Sequence, residues 1–300
     1  MTSWCLPAFA KINLCLRVLH QRADGYHDIE TLFVQIDRAD QLVFEEHRKT
    51  GLVISCSDPA IPTDRSNLCH RAYELMAERL GTRPGLSLHL KKCIPAGAGL
   101  GGGSSNAAVT LMALNKLWQL KLSSTELESM ALVLGSDVPF FLTGGLCWGA
   151  GRGEILRPVE GVPRFVALVV TPRIFVSTAA AYKRLNLILT KNEQSSILLD
   201  LSGKLGEVGS ISFSCRNDLE QSVIPQHPEL TEIKRRLIAC GAYCASMSGS
   251  GSAVFGLFDS KQKAVAGRLQ LASLYDSFIA HPTKWGFDEM EASYVSAISG

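Results

Sequence analysis

Polar and apolar residues alternate along residues 8–19. Ala10, Ile12, Leu14 and Leu16 fall on one face and Lys11, Asn13 and Arg17 on the other, which is the period of a strand. Further strands are predicted at 29–36, 41–46, 52–56 and 86–91, with a helix over 67–80 between the last two. Apolar spacing of three to four from Ala107 to Trp118 predicts a helix, and Ser123 with Glu126 forms a capping box for the next, which runs to Leu134. Residues 144–154 read as a strand and turn, and 159–163 as a loop-like boundary. Beyond it come a continuous apolar strand at 165–171 and helices at 177–185 and 194–201. A Gly/Ser-rich connection at 203–214 precedes a helix at 228–240. Strands at 242–247 and 253–258, a helix at 261–271 and a last strand near 277–280 complete the pattern. From about residue 285 the chain reads as a weakly determined tail.

One stretch does not fit ordinary alternation. Between Gly97 and Gly103 there are five glycines, followed by Ser104, Ser105 and the helical run. A glycine-rich loop that opens into a helix N-terminus gathers free N–H groups and the positive end of the helix dipole, and so suits an anion, phosphate above all. Glycine also lets the backbone approach the ligand.

Composition narrows the class. At 300 residues, one large or two medium domains are expected, and 46% apolar residues supply a core. Lys plus Arg number 30 against 28 Asp plus Glu, a balance that argues against a broad nucleic-acid surface. The run Lys234-Arg235-Arg236 reads as the solvated side of a helix. No stretch has the length of a membrane span, and the start carries neither a signal-peptide nor a transit-peptide pattern. The nine cysteines are odd in number and scattered, without Cys-x-x-Cys, and are expected as reduced, mostly buried thiols in a cytoplasmic protein.

The loop is not a Walker A motif, because no lysine follows the glycines. Gly97-x-Gly99-x-x-Gly102 fits the dinucleotide pattern, but no acidic residue stands at a strand end about twenty residues on. A phosphate cradle of backbone and two hydroxyls remains, and Ser104 or Ser105 could reach a Mg²⁺ or a phosphate oxygen. Phosphoryl transfer further needs a base near the acceptor hydroxyl and a cation. Asp137 and Lys11 are the candidates. By pattern alone Lys11 and Asn13 also fit an ordinary exposed strand face, and Asp137 also fits the N-cap of a short helix at 138–142. Tyr26 and His27, after the Asp24-Gly25 turn, fit either sheet packing or ligand contact.

Three stretches in this order, Pro7-Ala-Phe-Ala-Lys11-Ile-Asn13, Pro95 through Ala108 and Ser248-Gly-Ser-Gly-Ser252, resemble the motifs of the GHMP small-molecule kinases, among them galactokinase, homoserine kinase and mevalonate kinase. The first departs slightly, since Phe9-Ala10 stand where the family reads Pro-Ala directly before the lysine. Gln21 through His27, Gly101 through Asn106 and Gly135 through Phe140 narrow the resemblance to the branch that phosphorylates 4-diphosphocytidyl-2-C-methyl-D-erythritol in the non-mevalonate isoprenoid route. It extends to about residue 260. It implies an α+β fold of two domains: residues 1–160, ATP-binding and like ribosomal protein S5 domain 2, and residues 161–300, ferredoxin-like, with ATP and acceptor meeting in the cleft. It implies transfer from ATP to the 2-hydroxyl, giving the 2-phosphate and ADP. Asp137 would be the base with Lys11 beside it. Pro95, Ala96, Gly97, Ala98, Gly99, Leu100, Gly101, Gly102, Gly103, Ser104 and Ser105 would wrap the phosphates. Asn67 and Lys92 would lie near the adenine, Asn13 at the polyol, and Tyr26, His27 and Tyr182 around the cytosine. Mg²⁺ would enter with ATP, without a protein cage, with Ser105 the side chain nearest it. The expected partner is the small-molecule acceptor, with no nucleic acid and no membrane, on a monomer or weak homodimer. A non-catalytic nucleotide sensor would drop the base or its cation, and both are present. Homoserine or mevalonate kinases have no use for a nucleobase clamp such as Tyr26-His27.

Overall fold

In a computed structural model, which describes residues 3–161, 163–185, 215–286 and 288–290, the strands divide between two sheets. The first holds β1 (Ser3–Gln21), β2 (His27–Glu46), β3 (Leu52–Cys56), β4 (Leu86–Lys91), β5 (Leu146–Ala150) and β6 (Ile155–Pro158). Its order is β3-β4-β2-β5-β6, with β1 paired to β2 off that path; β3 and β4 run parallel and the other pairs antiparallel. The second sheet, antiparallel, has β7 (Val166–Thr171), β8 (Cys244–Met247), β9 (Val254–Phe258) and β10 (Asp276–Ala280) in the order β10-β7-β9-β8.

The helices are α1 (Leu68–Leu80), α2 (Gly102–Leu117), α3 (Ser124–Leu134), α4 (Phe140–Thr143), α5 (Thr178–Leu185), α6 (Glu220–Val223), α7 (Glu229–Ala239) and α8 (Lys261–Leu271). Strand alternation sorts their partners. Phe33, Leu42 and Phe44 of β2 face α1, α2 and α3, while Leu32, Val34 and Ile36 face the second sheet through Ala167, Val169, Phe255 and Leu257. On the far side of that sheet, Val166, Leu168 and Val170 meet Leu230, Ile233 and Leu237 of α7 and Leu271 of α8. Four layers result: helices, sheet, sheet, helices. This explains the unbroken apolar run of β7, all of whose residues are buried because both faces are covered.

Several expectations change. Residues 29–36 and 41–46 are one strand, because β2 stays paired with β1 through the polar stretch Asp37–Asp40 by way of a bulge between Phe9 and Ala10. Helix α2 starts at Gly102, with the left-handed Gly101 as its N-cap, so the last glycines and both serines already lie in its first turn. Asp137 does not cap α4, whose N-cap is Pro139 without a side-chain cap bond. Strand β6, α6 and the 3₁₀ turn Ile224–Gln226 carried no recognised pattern. The Ser123–Glu126 capping box forms on both arms. In the basic run, Arg235 and Arg236 pair with Glu232 and Lys234 with Glu220. The helix expected at 194–201 and the connection at 203–214 lie outside the described residues. Trp285, placed in the tail, is tied to β2: its N–H donates to Gln35 Oε1 at 2.7 Å and its carbonyl accepts from Gln35 Nε2 at 2.8 Å.

The expectation of reduced thiols needs one correction: Cys215 and Cys244, whose Cα atoms are 6.0 Å apart, form a disulfide. That separation is ordinary for such a bond. Cys15, Cys69 and Cys147 are buried free thiols, and burial pushes them up to about 11, 12 and 12 respectively, so they stay protonated at neutral pH. Among the described residues no helix is long and apolar enough to cross a membrane.

Candidate active site

The glycine loop leaves β4 and reaches α2 through left-handed turns at Gly97 (φ +65°), Gly99 (φ +77°) and Gly101 (φ +73°). Two of these positions are also crowded. A Cβ on Gly99 would stand 2.0 Å from the Ser248 carbonyl oxygen, and one on Gly101 2.6 Å from the Phe141 ring. Gly103 faces open space. Gly99→Ala should therefore force the loop off its path, at roughly 1–3 kcal/mol of backbone strain and more from the clash. A lowered melting temperature together with weaker binding of a pyrophosphate probe at the loop is the expected result; unchanged values for both would show that the close approach does not matter.

Two other segments hold the loop. The N–H of Lys11 donates to the Leu100 carbonyl at 3.0 Å, and that of Ala253 to the Ala98 carbonyl at 3.1 Å. Ser248 Oγ donates to the Gly99 carbonyl at 3.0 Å and accepts from the Asn13 N–H at 3.4 Å. The first strand, the glycine loop and the Ser248–Ser252 turn thus meet at one place. Asn217 fixes the turn from behind, its Nδ2 donating to the Met247 and Gly249 carbonyls at 2.7 Å each. Ser250 Oγ pairs with Thr178 Oγ1 at 2.7 Å, which joins α5 to the same turn.

This closure buries Lys11 and Asn13, to 3% and 2% exposure, so theirs is not a solvent-facing strand edge. A buried ammonium needs partners. Lys11 Nζ donates to Asn13 Oδ1 at 2.6 Å and stands 3.4 Å from Asp137 Oδ2, with the Phe33 ring centroid 5.3 Å away. The Asp137 side chain is 37% exposed, so one member of the pair faces the open cleft while the other is enclosed.

An aromatic pair joins β2 to α5. His27 stacks on Tyr182 with centroids 4.9 Å apart and an interplanar angle of 28°. Burial, and after it the Asp137 carboxylate, push the Tyr182 phenol above its ordinary range, which places Tyr182 within electrostatic reach of Asp137. Tyr26 points outward: it is 55% exposed, with the Arg152 guanidinium 4.8 Å over its ring. Successive residues of an extended chain face opposite ways, so His27 and not Tyr26 meets Tyr182 here.

Asn67 and Lys92 line one cavity of about 380 Å³ with the glycine loop, Ser104 and Asn106. Asn67 is engaged as the N-cap of α1, accepting from the Cys69 N–H at 2.9 Å, while its Nδ2 donates to the Pro62 carbonyl at 2.7 Å. Lys92 turns its ammonium to Asp40 and to Asn106 Oδ1, the latter at 3.0 Å. Ser105 is buried to 1% beneath the first turn, and Ser104 supplies the hydroxyl on the cavity wall.

Asp40, Thr31 and Asn217 were not recognised from the sequence. Asp40 is fully buried and accepts from Lys92 Nζ, from Asn106 Nδ2 at 2.9 Å, and from the N–H groups of Cys93 and Ile94 at 2.7 and 2.8 Å. It therefore ties the entry of the glycine loop to the first turns of α2. An aspartate in the middle of an otherwise strand-like run was the available signal. Nothing in the local pattern marks Asn217.

A glycine loop opening at a helix start, a lysine–carboxylate pair beside it and a serine-glycine turn closing the third side form an arrangement that suits a small-molecule phosphotransferase. The family model described as the GHMP kinases N terminal domain matches residues 67–145, and that described as GHMP kinases C terminal matches residues 198–277. The chain is a GHMP kinase, of mixed α and β structure with two sheets, and uses ATP. It is 38% identical over 270 residues to a 4-diphosphocytidyl-2-C-methyl-D-erythritol kinase of Alkaliphilus metalliredigens, covering 90% of this chain and 93% of the relative. It is 41% identical over 278 residues to the enzyme of that name from Burkholderia ambifaria, covering 92% of each. A crystal structure of 4-(cytidine 5'-diphospho)-2C-methyl-D-erythritol kinase superimposes with a TM-score of 0.79 at 35% identity, over 92% of this chain and 98% of the other. Homoserine kinase from Cytophaga hutchinsonii, 19% identical with a TM-score of 0.71 over 96% of each chain, shares the fold. Within the GHMP kinases, the chain belongs to the family of 4-diphosphocytidyl-2-C-methyl-D-erythritol kinases.

Proposed function

We propose that this protein transfers the γ-phosphoryl group of ATP to the 2-hydroxyl of 4-diphosphocytidyl-2-C-methyl-D-erythritol, giving the 2-phosphate and ADP in the non-mevalonate route to isopentenyl diphosphate. The observation that carries the reading is the approach of the enclosed Lys11 ammonium to the cleft-facing Asp137 carboxylate, beside the glycine loop. Asp137 accepts the proton of the attacking hydroxyl. Lys11 keeps that carboxylate in place and offsets the charge gathering on the transferred group. A tertiary alcohol is a poor nucleophile, so positioning and charge neutralisation supply most of the acceleration.

Residues 95–105 hold the phosphates through backbone N–H groups, and Ser104, on the cavity wall, would be the side chain to offer an oxygen to the Mg²⁺ that accompanies ATP. Bound Mg²⁺ would supply positive charge that offsets the charge developing on the transferred phosphoryl group. Asn67 and Lys92 border the adenine end of the cavity, Lys92 chiefly through its aliphatic stem. Asn13 contacts the acceptor polyol. Tyr26, His27 and Tyr182 enclose the cytosine, which requires the His27–Tyr182 stack to part and Tyr26 to turn inward from Arg152. In this reading residues 1–160 carry the nucleotide and residues 161–300 close the acceptor side.

The test is ADP release from purified enzyme with the cytidine diphosphate ester, homoserine or mevalonate as acceptor. Turnover with the cytidine ester alone is the expected result. Activity confined to homoserine or mevalonate would overturn the reading, and ATP binding without turnover on any acceptor would favour a sensor.

A further inference from the structure

We infer that Thr31 is a positioning residue for the transfer, acting through Asn13 to fix how the Lys11 ammonium is held. The inference rests on the reading of Lys11 as part of the catalytic pair. Thr31 lies in β2 and is fully buried. Asn13 pairs with Phe33 across the β1–β2 ladder, and Thr31 stands two residues along β2 on the same face, in diagonal reach of the Asn13 side chain.

The hydrogen bonds then run in one direction. Thr31 has a single hydroxyl proton, and it goes to the Cys15 carbonyl at 2.8 Å. Its oxygen can therefore only accept from Asn13, and Asn13 Nδ2 donates to it at 2.7 Å. With its nitrogen committed, the amide must present Oδ1 to Lys11, and Lys11 Nζ donates to that oxygen at 2.6 Å. An ammonium has donors only, so the opposite amide orientation would set Nδ2 against it. A backbone carbonyl in β1 thus dictates, through two side chains, the orientation of the group beside Asp137. Cys15, Asn13 and Lys11 lie on the same strand, which gives the relay a rigid frame.

Thr31→Val removes the hydroxyl at almost constant volume, and Thr31→Ser keeps it. In full-length enzyme, kcat of Thr31→Val should fall roughly 10-fold or more, the effect of losing one hydrogen bond that serves a charged group. KM for ATP should stay at the wild-type value, and Thr31→Ser should recover most of kcat. Should the valine variant fail to fold, Thr31→Ala makes the same deletion without the apolar methyl, and the Ala–Ser comparison decides. Wild-type kcat in Thr31→Val or Thr31→Ala would overturn the inference. So would equal losses in Thr31→Ser and Thr31→Val, since packing alone would then account for both. Lys11→Met, measured alongside, separates the two levels. If Lys11→Met keeps turnover, the underlying reading falls. If it loses turnover while the Thr31 variants do not, only the role of Thr31 falls.

Discussion

Replacing Asp137 by asparagine should slow turnover roughly 10²–10⁴-fold, the scale of a lost general base. The substitution preserves the shape of the side chain. It removes the proposed acceptor for the hydroxyl proton and the negative charge 3.4 Å from Lys11 Nζ. Lys11 keeps its bond to Asn13 Oδ1, so the buried ammonium is not orphaned and the fold should survive. Because the Asp137 side chain is 37% exposed, solvent screens the pair, and its contribution to stability is small beside its proposed kinetic role. KM for both substrates should change far less than kcat, since the glycine loop and the aromatic residues proposed to bind them are untouched. Steady-state ADP release, with thermal melting as the control for folding, makes the measurement. A cleanly folded Asp137→Asn enzyme with near-wild-type turnover would remove Asp137 from the role of base.

Asp40→Asn should produce the largest loss of stability, about 3–5 kcal/mol, the cost of breaking a buried ion pair from one side. The carboxylate is fully buried and receives two side chains and two backbone N–H groups. An amide in its place can still accept from Cys93 and Ile94 through one oxygen. Its –NH₂ group, however, would face Lys92 Nζ and Asn106 Nδ2, which are also donors. Urea unfolding followed by circular dichroism should show the midpoint falling, and the KM for ATP should rise because the loop entry at residues 93–94 is released. An unchanged midpoint would mean that Lys92 finds another partner and that Asp40 does not anchor the loop.

Features written within a few consecutive residues were legible in the sequence. The glycine loop, the Ser123–Glu126 capping box, the Asp24-Gly25 turn and the apolar strand β7 each depend on local backbone chemistry. Features made by distant segments were not. Whether Lys11 and Asn13 face solvent is decided by Leu100 and Ser248, far along the chain, and neither leaves a mark in the alternation of residues 8–19. Asp40 looked like the polar break between two strands because its partners sit at positions 92–94 and 106. The aromatic residues show the same limit. The sequence brought Tyr26, His27 and Tyr182 together by family resemblance, but only the direction of the chain at β2 puts His27 against Tyr182 and turns Tyr26 toward Arg152. The Cys215–Cys244 bond, likewise, depends on two segments that meet only in the folded chain.

The apolar layer shared by the two sheets bears on how substrates come and go. Ile12, Leu14, Val34 and Ile36 on one side and Val169, Phe255 and Leu257 on the other are each buried to at least 99%. Residues 216–218 run along β1, with the Leu16 N–H donating to the Arg216 carbonyl at 2.7 Å and the Asp218 N–H to the Leu16 carbonyl at 2.9 Å. Swinging one sheet away from the other would expose that layer to water at a cost of about 25 cal/mol for every Å² uncovered, and would break those strand-like bonds as well. Admission of the acceptor and release of ADP are then expected to fall to side chains and loops at the rim, while the Lys11 N–H bond to the Leu100 carbonyl at 3.0 Å ties β1 to the glycine loop within the first sheet's own unit.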